Sequence, residues 1–221
     1  MKITFITLFP EYFDFFKTHS IIKNAIKEKK IEIELINPRD FVLDKNKQVD
    51  DYIYGGGPGM LMLIEPVVKA IEKAKTKDSF IIYTSPKGKK FSQSIAKNFV
   101  LSHKDIIIVC GHYEGIDARI KYFIDLEISL GDFILTGGEI AAMAIADAII
   151  RLIPGVINED SLINESFEND LIENDHYTRP RKFRNLSVPS VLLSGDHKKI
   201  ENWRKENAIK NTNQFKKNNK K

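Results

Sequence analysis

Cysteine, tryptophan and long uncharged apolar runs are almost absent from this 221-residue sequence, which holds a single Cys and a single Trp. One thiol, Cys110, leaves nothing to pair with in an intrachain disulfide, and a reducing compartment fits that. Cys110 closes an apolar stretch with no base beside it, so it reads as a buried thiol rather than a nucleophile. No segment is long and charge-free enough to span a bilayer. The N-terminal ITFITLF is short and runs into Pro10-Glu11 without a small-residue cleavage site, unlike a secretory signal. No G-x-G-x-x-G follows a strand-like run and no P-loop is present, which argues against a dinucleotide or nucleoside-triphosphate enzyme. No internal repeat and no metal-ligand cluster is visible. The expectation is a cytoplasmic protein with no metal site and no membrane partner.

What is present is an ordinary globular composition, 43% hydrophobic, with a modest net charge of +4 that is unevenly placed. From Asn158 to Asp175 the charges are acidic only: Glu159, Asp160, Glu165, Glu168, Asp170, Glu173 and Asp175. Past Arg179 lysine and arginine dominate. This divides the chain into a main domain (1–157), an acidic flexible linker (158–175) and a small helical C-terminal domain (176–221) whose tail FKKNNKK is expected to be disordered.

Within the main domain, strand-like runs alternate with helix-like ones. Strands are expected over Lys2–Phe9, Ile31–Ile36, Ser79–Pro86, Asp105–Cys110 and Leu126–Leu135. Helices are expected from Pro10 to about Lys29, over Glu65–Lys75, Phe91–Leu101, Gly115–Phe123 and Glu139–Ile153, and later over Gly195–Asn211. That alternation indicates an α/β fold, a mainly parallel sheet with helices on both faces. The stretch 38–58 lacks periodicity and ends in GGGPG, a long loop of the functional or mobile kind.

Three of the strands end in loops of small residues: Ser85-Pro86-Lys87-Gly88, Gly111-His112-Tyr113-Glu114-Gly115, and ISLGDFILTGG at Ile128–Gly138. Ligands of open α/β sheets bind outside the carboxyl ends of strands. Loops built mostly of backbone N–H and C=O groups suit a flat, hydrogen-bonding ligand such as adenine.

The motifs YGGGPGM at Tyr54–Met60, CGHYEGID at Cys110–Asp117, GDFILTGGE at Gly131–Glu139 and HYTRP at His176–Pro180, in that order, resemble those of the bacterial tRNA (guanine-N(1))-methyltransferases of the SPOUT superfamily. The resemblance covers essentially the whole chain. It implies a trefoil-knotted domain, S-adenosyl-L-methionine as methyl donor, tRNA as substrate and a homodimer. The reaction implied is methylation of N-1 of the guanosine immediately 3′ of the anticodon. A magnesium requirement is not legible.

By that resemblance the donor pocket comprises Tyr83 and Pro86, then Gly111, Tyr113 and Glu114, then Leu130, Gly131, Asp132, Phe133, Ile134 and Leu135 with Gly137 and Gly138. RNA contacts fall on Asp50, Tyr54, Gly55, Gly56, Gly57, Pro58, Gly59, Met60, His112 and the basic C-terminal segment. On its residues alone, Glu114 also has a reading as a structural acceptor in a tight loop.

Methylating guanine N-1 requires removal of its proton and a cation for the charge that develops on the exocyclic oxygen. The resemblance assigns these tasks to Glu165 and Arg151. Without it, Arg151 is a cation at a helix end and Glu165 one linker carboxylate among seven. Several positions depart from the family's pattern: Glu165 stands where Asp is usual, Ala141 where Pro is frequent, His112 where some have Arg, and Ile53 where Pro is common. The C-terminal segment is also short.

Overall fold

The structure, a computed structural model, describes residues 1–163, 165–167 and 170–219. Asn164, Glu168, Asn169, Lys220 and Lys221 of the stretches named above lie outside the described residues. The chain forms two compact units, Met1–Ile157 and Asn158–Lys221.

The first unit is built on a five-stranded sheet. Its strands are β1 (Lys2–Ile6), β2 (Glu32–Ile36), β5 (Ser79–Lys90), β6 (Asp105–Cys110) and β7 (Leu126–Ser129), in spatial order β2-β1-β6-β5-β7 and parallel throughout. A hairpin of β3 (Asp50–Tyr52) and β4 (Met60–Met62) stands apart. The helices are α1 (Phe13–Thr18), α2 (Ser20–Lys27), α3 (Ile64–Ala74), α4 (Gln93–Ser102) and α5 (Glu139–Ile150).

Parallel strands are buried on both faces, and the side-chain period of two sends alternate residues to opposite layers. In β6, Ile106, Ile108 and Cys110 join the core that includes Phe13, Ala25, Phe99 and Ile145, while Ile107 and Val109 join the one with Val67, Ala70 and Ile71. Helices α1, α2, α4 and α5 thus cover one face and α3 the other. Ile145, Ile149 and Ile150 of α5 are fully buried; truncating any one to Ala would cost about 2–5 kcal/mol.

The sequence expectations differ from the structure in instructive places. The helix expected over residues 10–29 is a 3-10 turn (Pro10–Tyr12) followed by α1 and α2. It breaks at His19, which is extended, and Ser20, whose φ is +52°. Thr18 Oγ1 bonds back to the Asp14 carbonyl at 2.7 Å, a side-chain competitor for the helical ladder. The last strand stops at Ser129 rather than Leu135, where Ser129 Oγ accepts from Gly131 N at 3.1 Å and Gly131 turns at φ +156°. The short helix expected over 115–123 is a 3-10 helix, Ala118–Tyr122. The aperiodic stretch before GGGPG contributes β3, and the glycines form the hairpin's turn.

In the second unit are α6 (Glu159–Ile163), the two-residue strands β8 (Lys182–Phe183) and β9 (Leu186–Ser187), and α7 (His197–Asn218). Helix α7 runs through most of the tail expected to be disordered, its start capped by Asp196 accepting from Lys199 N at 3.1 Å.

Candidate active site

The site begins with an interruption in β5. Pairing with β7 runs Ile82↔Leu126, Tyr83↔Glu127, Thr84↔Ile128, then resumes at Lys89↔Ile128. Residues Ser85–Gly88 leave the ladder as a bulge, and bulges beside sites re-aim the chain. Gly88 returns so close to the β7 backbone at Glu127 and Ile128 that no Cβ fits.

Beside it, β6 ends at Cys110 and the chain turns through Gly111–Asp117. Gly115 (φ +111°) takes a positive φ that glycine adopts freely, whereas Tyr113 (φ +56°) is a non-glycine residue in the left-handed region, a strained conformation typical of functional loops. Asp117 closes this loop by accepting from Arg119 N at 2.9 Å, while the Arg119 guanidinium grips its carboxylate at 2.9 and 2.7 Å. That grip holds the Asp117 carboxyl below its usual value, with burial opposing it.

The third wall is Leu130–Gly138. Gly138 N donates to Gly111 O at 2.7 Å. A Cβ on Gly138 would overlap Thr84 Oγ1 and lie 2.8 Å from Gly111 N and 2.9 Å from Cys110 Cα. Since Gly138 has φ −80°, close approach and not backbone freedom requires glycine here. Next in sequence, buried Glu139 accepts from Thr7 Oγ1 at 2.9 Å, tying the first turn of α5 to the end of β1. A carboxylate in a helix's first turn also suits the dipole.

The three loops enclose one cavity of about 530 Å³, within the ordinary range for small-molecule sites of roughly 300–1,000 Å³. Its walls combine apolar side chains (Ile116, Ile124, Leu130, Leu135) with loop backbone, two carboxylates (Glu114, Glu127) and two ammonium groups (Lys87, Lys121). Tyr83 forms part of the wall. Burial pushes its phenol above the usual value, partly offset by a hydrogen bond with the Ile116 backbone, so it faces the cavity neutral. Cys110 is buried beside this site, its thiol pushed well above the ordinary range by burial first and by Glu139 second, which favours the neutral thiol over a thiolate.

Around this cavity stand Tyr83, Pro86, Gly111, Tyr113, Glu114, Leu130, Gly131, Phe133, Ile134, Leu135, Gly137 and Gly138 of the expected donor set. Asp132 is the exception. It lies outside the lining and pairs with Lys90 at 2.7 Å, largely in solvent. Alternation explains it poorly; the turn at Gly131 carries the next side chain outward. His112, expected on RNA, is also part of the cavity lining, its ring 4.7 Å from Phe9 and 5.0 Å from Tyr113. Its Nδ1 is buried with no hydrogen-bond partner among the described residues.

Glu127, Lys87 and Lys121 were missed. A carboxylate inside the apolar strand LEIS of a sheet buried on both faces was the legible signal for Glu127.

The glycine loop connects directly to this site. Met60 O accepts from Glu114 N at 3.0 Å, Met62 N donates to Gly115 O at 3.0 Å, and Asp117 N donates to Met62 O at 3.1 Å. A Cβ on Gly59 would press into the Glu114 side chain at 2.6 Å. Asp50 anchors the hairpin opposite Met62, and Tyr54 at its turn is 99% exposed.

Of the two catalytic candidates, Arg151 is half-buried just past α5, its N–H bonded to Asp147 O at 3.1 Å. Glu165 is half-buried in the second unit, after α6. No helix of the described residues is long and apolar enough to cross a membrane, and none of their His, Cys, Asp or Glu groups is placed to share a metal ion.

Comparison with known proteins matches the profile of the family described as tRNA (Guanine-1)-methyltransferase TrmD over residues 1–220. The chain is 56% identical over 207 residues to a tRNA (guanine-N(1)-)-methyltransferase of Mesomycoplasma hyopneumoniae strain 7448, covering 93% of this chain and 89% of that one. It is 52% identical over 206 residues to the protein so named in Ureaplasma urealyticum serovar 10, covering 93% and 90%. With its namesake in Mycoplasmopsis pulmonis it shares 51% over 212 residues, covering 96% and 93%.

Proposed function

The chain belongs to the tRNA (guanine-1)-methyltransferase TrmD family, and from that premise we propose that it moves a methyl group from S-adenosyl-L-methionine to N-1 of the guanosine immediately 3′ of the anticodon in tRNA. The observation that carries this reading is the cavity of about 530 Å³ closed by three strand-end loops. Its chemistry fits the donor. Loop amides and carbonyls suit the edge of adenine, Ile116 and Leu135 its faces, and Glu114 and Glu127 the ribose hydroxyls or the ammonium group. Bound there, S-adenosyl-L-methionine supplies a methyl carbon made electrophilic by its sulfonium.

What this chain must add is alignment and proton removal. Glu165 accepts the N-1 proton of guanine, leaving a lone pair on N-1 to form the new bond to carbon as the sulfonium bond breaks. Arg151 donates to the exocyclic oxygen, where negative charge accumulates. Tyr54 and the glycine loop meet the RNA, and the main-chain bonds of Met60 and Met62, which follow that loop, to the Glu114 loop link substrate arrival to the donor site. Lysines of α7 contact phosphates, which position RNA without specifying its sequence. The working form is a homodimer in the cytoplasm, its main domain knotted as the family's is, with each site completed by the partner's linker.

The test is methyl transfer from labelled S-adenosyl-L-methionine to unmodified tRNA, followed by digestion and identification of the base. The expected product is N-1-methylguanosine, absent from a tRNA lacking that guanosine. Label on the altered tRNA would indicate another target, and donor binding without transfer would indicate an RNA-binding protein.

A further inference from the structure

We propose that α7 holds the segment carrying Glu165 in its working position, with Thr212 as the positioning residue; this rests on the reading of Glu165 as the base. Thr212 is 5% exposed, and its hydroxyl is used twice. Oγ1 donates to Ala208 O at 2.7 Å and accepts from Ile172 N at 2.9 Å. Two asparagines on the same face of α7 extend the grip. Asn211 Nδ2 donates to Glu173 O at 3.0 Å and to Asp175 Oδ1 at 3.1 Å. Asn207 accepts from Asp175 N at 2.6 Å and donates to its carboxylate at 3.1 Å. Asn207 and Asn211, four apart, share a face of α7, and with the neighbouring Thr212 they hold Ile172, Glu173 and Asp175 against the helix.

From this row the order passes back toward Glu165. Glu173 N donates to Ser166 Oγ at 3.2 Å, and Phe167 N donates to Leu171 O at 2.7 Å. The Phe167 ring meets Phe215 of α7 edge-on, centroids 5.8 Å apart. Glu165 immediately precedes this closed loop. An acidic stretch with little apolar surface does not order itself; amide and hydroxyl groups of α7 supply the partners its backbone needs. A general base works only within hydrogen-bond reach of its proton, so loosening the clasp should slow transfer without weakening donor binding.

The full-length Thr212→Val variant keeps side-chain shape, removes the hydroxyl and leaves Ile172 N without a partner. Single-turnover methylation at saturating donor and tRNA should fall roughly tenfold, the ratio expected from one well-made hydrogen bond. Calorimetric affinity for S-adenosyl-L-methionine should stay unchanged, and Thr212→Ser should restore the rate. In a Glu165→Gln background, Thr212→Val should add no further loss, because the clasp acts through that carboxylate. If Thr212→Val folds poorly, the Asn207→Ala/Asn211→Ala pair makes the same test. A wild-type rate in Thr212→Val, or a loss that persists at full size beside Glu165→Gln, overturns the clasp while the base stands. A wild-type rate in Glu165→Gln alone removes the base and this inference together.

Discussion

At Glu165 the chain carries one methylene more than the aspartate its motif implies, so the carboxylate keeps its chemistry and changes its reach. Glu165→Gln preserves size and polarity but cannot take a proton, and single-turnover methylation should fall by roughly the 10²–10⁴ of a lost general base. Donor affinity should hold, and Glu165→Asp should retain activity. A near-wild-type rate for the Gln variant would eliminate the carboxylate as base. Arg151→Lys should also be slow, since an ammonium does not reproduce the planar fork of guanidinium. Cys110 matters to stability rather than to chemistry. Its native thiol is held well above the ordinary value of 9.0, so above about pH 9 the unfolded chain loses that proton while the native one keeps it. The native state then binds more protons, and unfolding free energy falls as pH rises; below the unfolded value the contribution is fully present. Cys110→Ala should therefore flatten the decline in stability between pH 8 and 10 by denaturant titration, and identical slopes for the two proteins would refute the assignment.

Elements, more than residues, decide how the cavity is assembled. The hairpin β3–β4 is bonded to the Glu114 loop, and Gly59 sits at φ +81° with the Glu114 side chain where a Cβ would be. Gly59→Ala should raise the dissociation constant for S-adenosyl-L-methionine several-fold through displacement of Glu114. Gly56→Ala, at φ +82° but in open space, shares the backbone strain and should leave donor affinity alone. Equal calorimetric affinities in both variants would uncouple hairpin from pocket. Along α7 the exposed Lys216 and Lys217 should meet phosphate: changing both to Gln should weaken tRNA binding and lower its salt slope by about 1–2 units. Filter binding across a salt series reads this, and an unchanged slope removes them from the interface. Cutting the chain after Asn211 would be a poor substitute, because it also deletes Thr212 and Phe215. These elements also show how far the sequence is legible. The apolar runs of β1, β5 and β6 and the Ala-Ile face of α5 are visible because burial on both sides leaves a continuous signal. The break at His19-Ser20, the bulge at Ser85–Gly88 and the turn at Gly131 are not, since single hydrogen bonds and register decide them. The Lys/Asn composition of the tail from Phe215 hides its helical state, which the buried Thr212 just before it helps to anchor.

Across the whole molecule, the two proposed catalytic residues fall in different compact units, Arg151 in the first and Glu165 in the second. The glycine loops that mark the cavity are local in sequence and therefore legible; the proposal that Arg151 and Glu165 serve one site rests on the family's motif, because a linker's composition says nothing about which body it serves. The proposed homodimer, with each site completed by the partner's linker, is tested by whether base and cation come from one chain or two. Isologous dimers present each surface twice, so a linker crossing to its partner in one site crosses in both. Glu165→Gln and Arg151→Ala proteins should each be inactive alone. Mixed and allowed to exchange subunits, they form heterodimers in which one site pairs the intact Arg151 with the intact Glu165 and the other pairs the two altered residues. Random exchange makes half the dimers mixed, so a two-chain site should recover about a quarter of wild-type activity. A one-chain site recovers none, since every chain then carries one defect. Methyl transfer measured on the mixture, with subunit exchange verified by mass spectrometry of differently tagged chains, separates the two: activity that stays at the level of the separate variants after exchange is complete would place base and cation in the same chain.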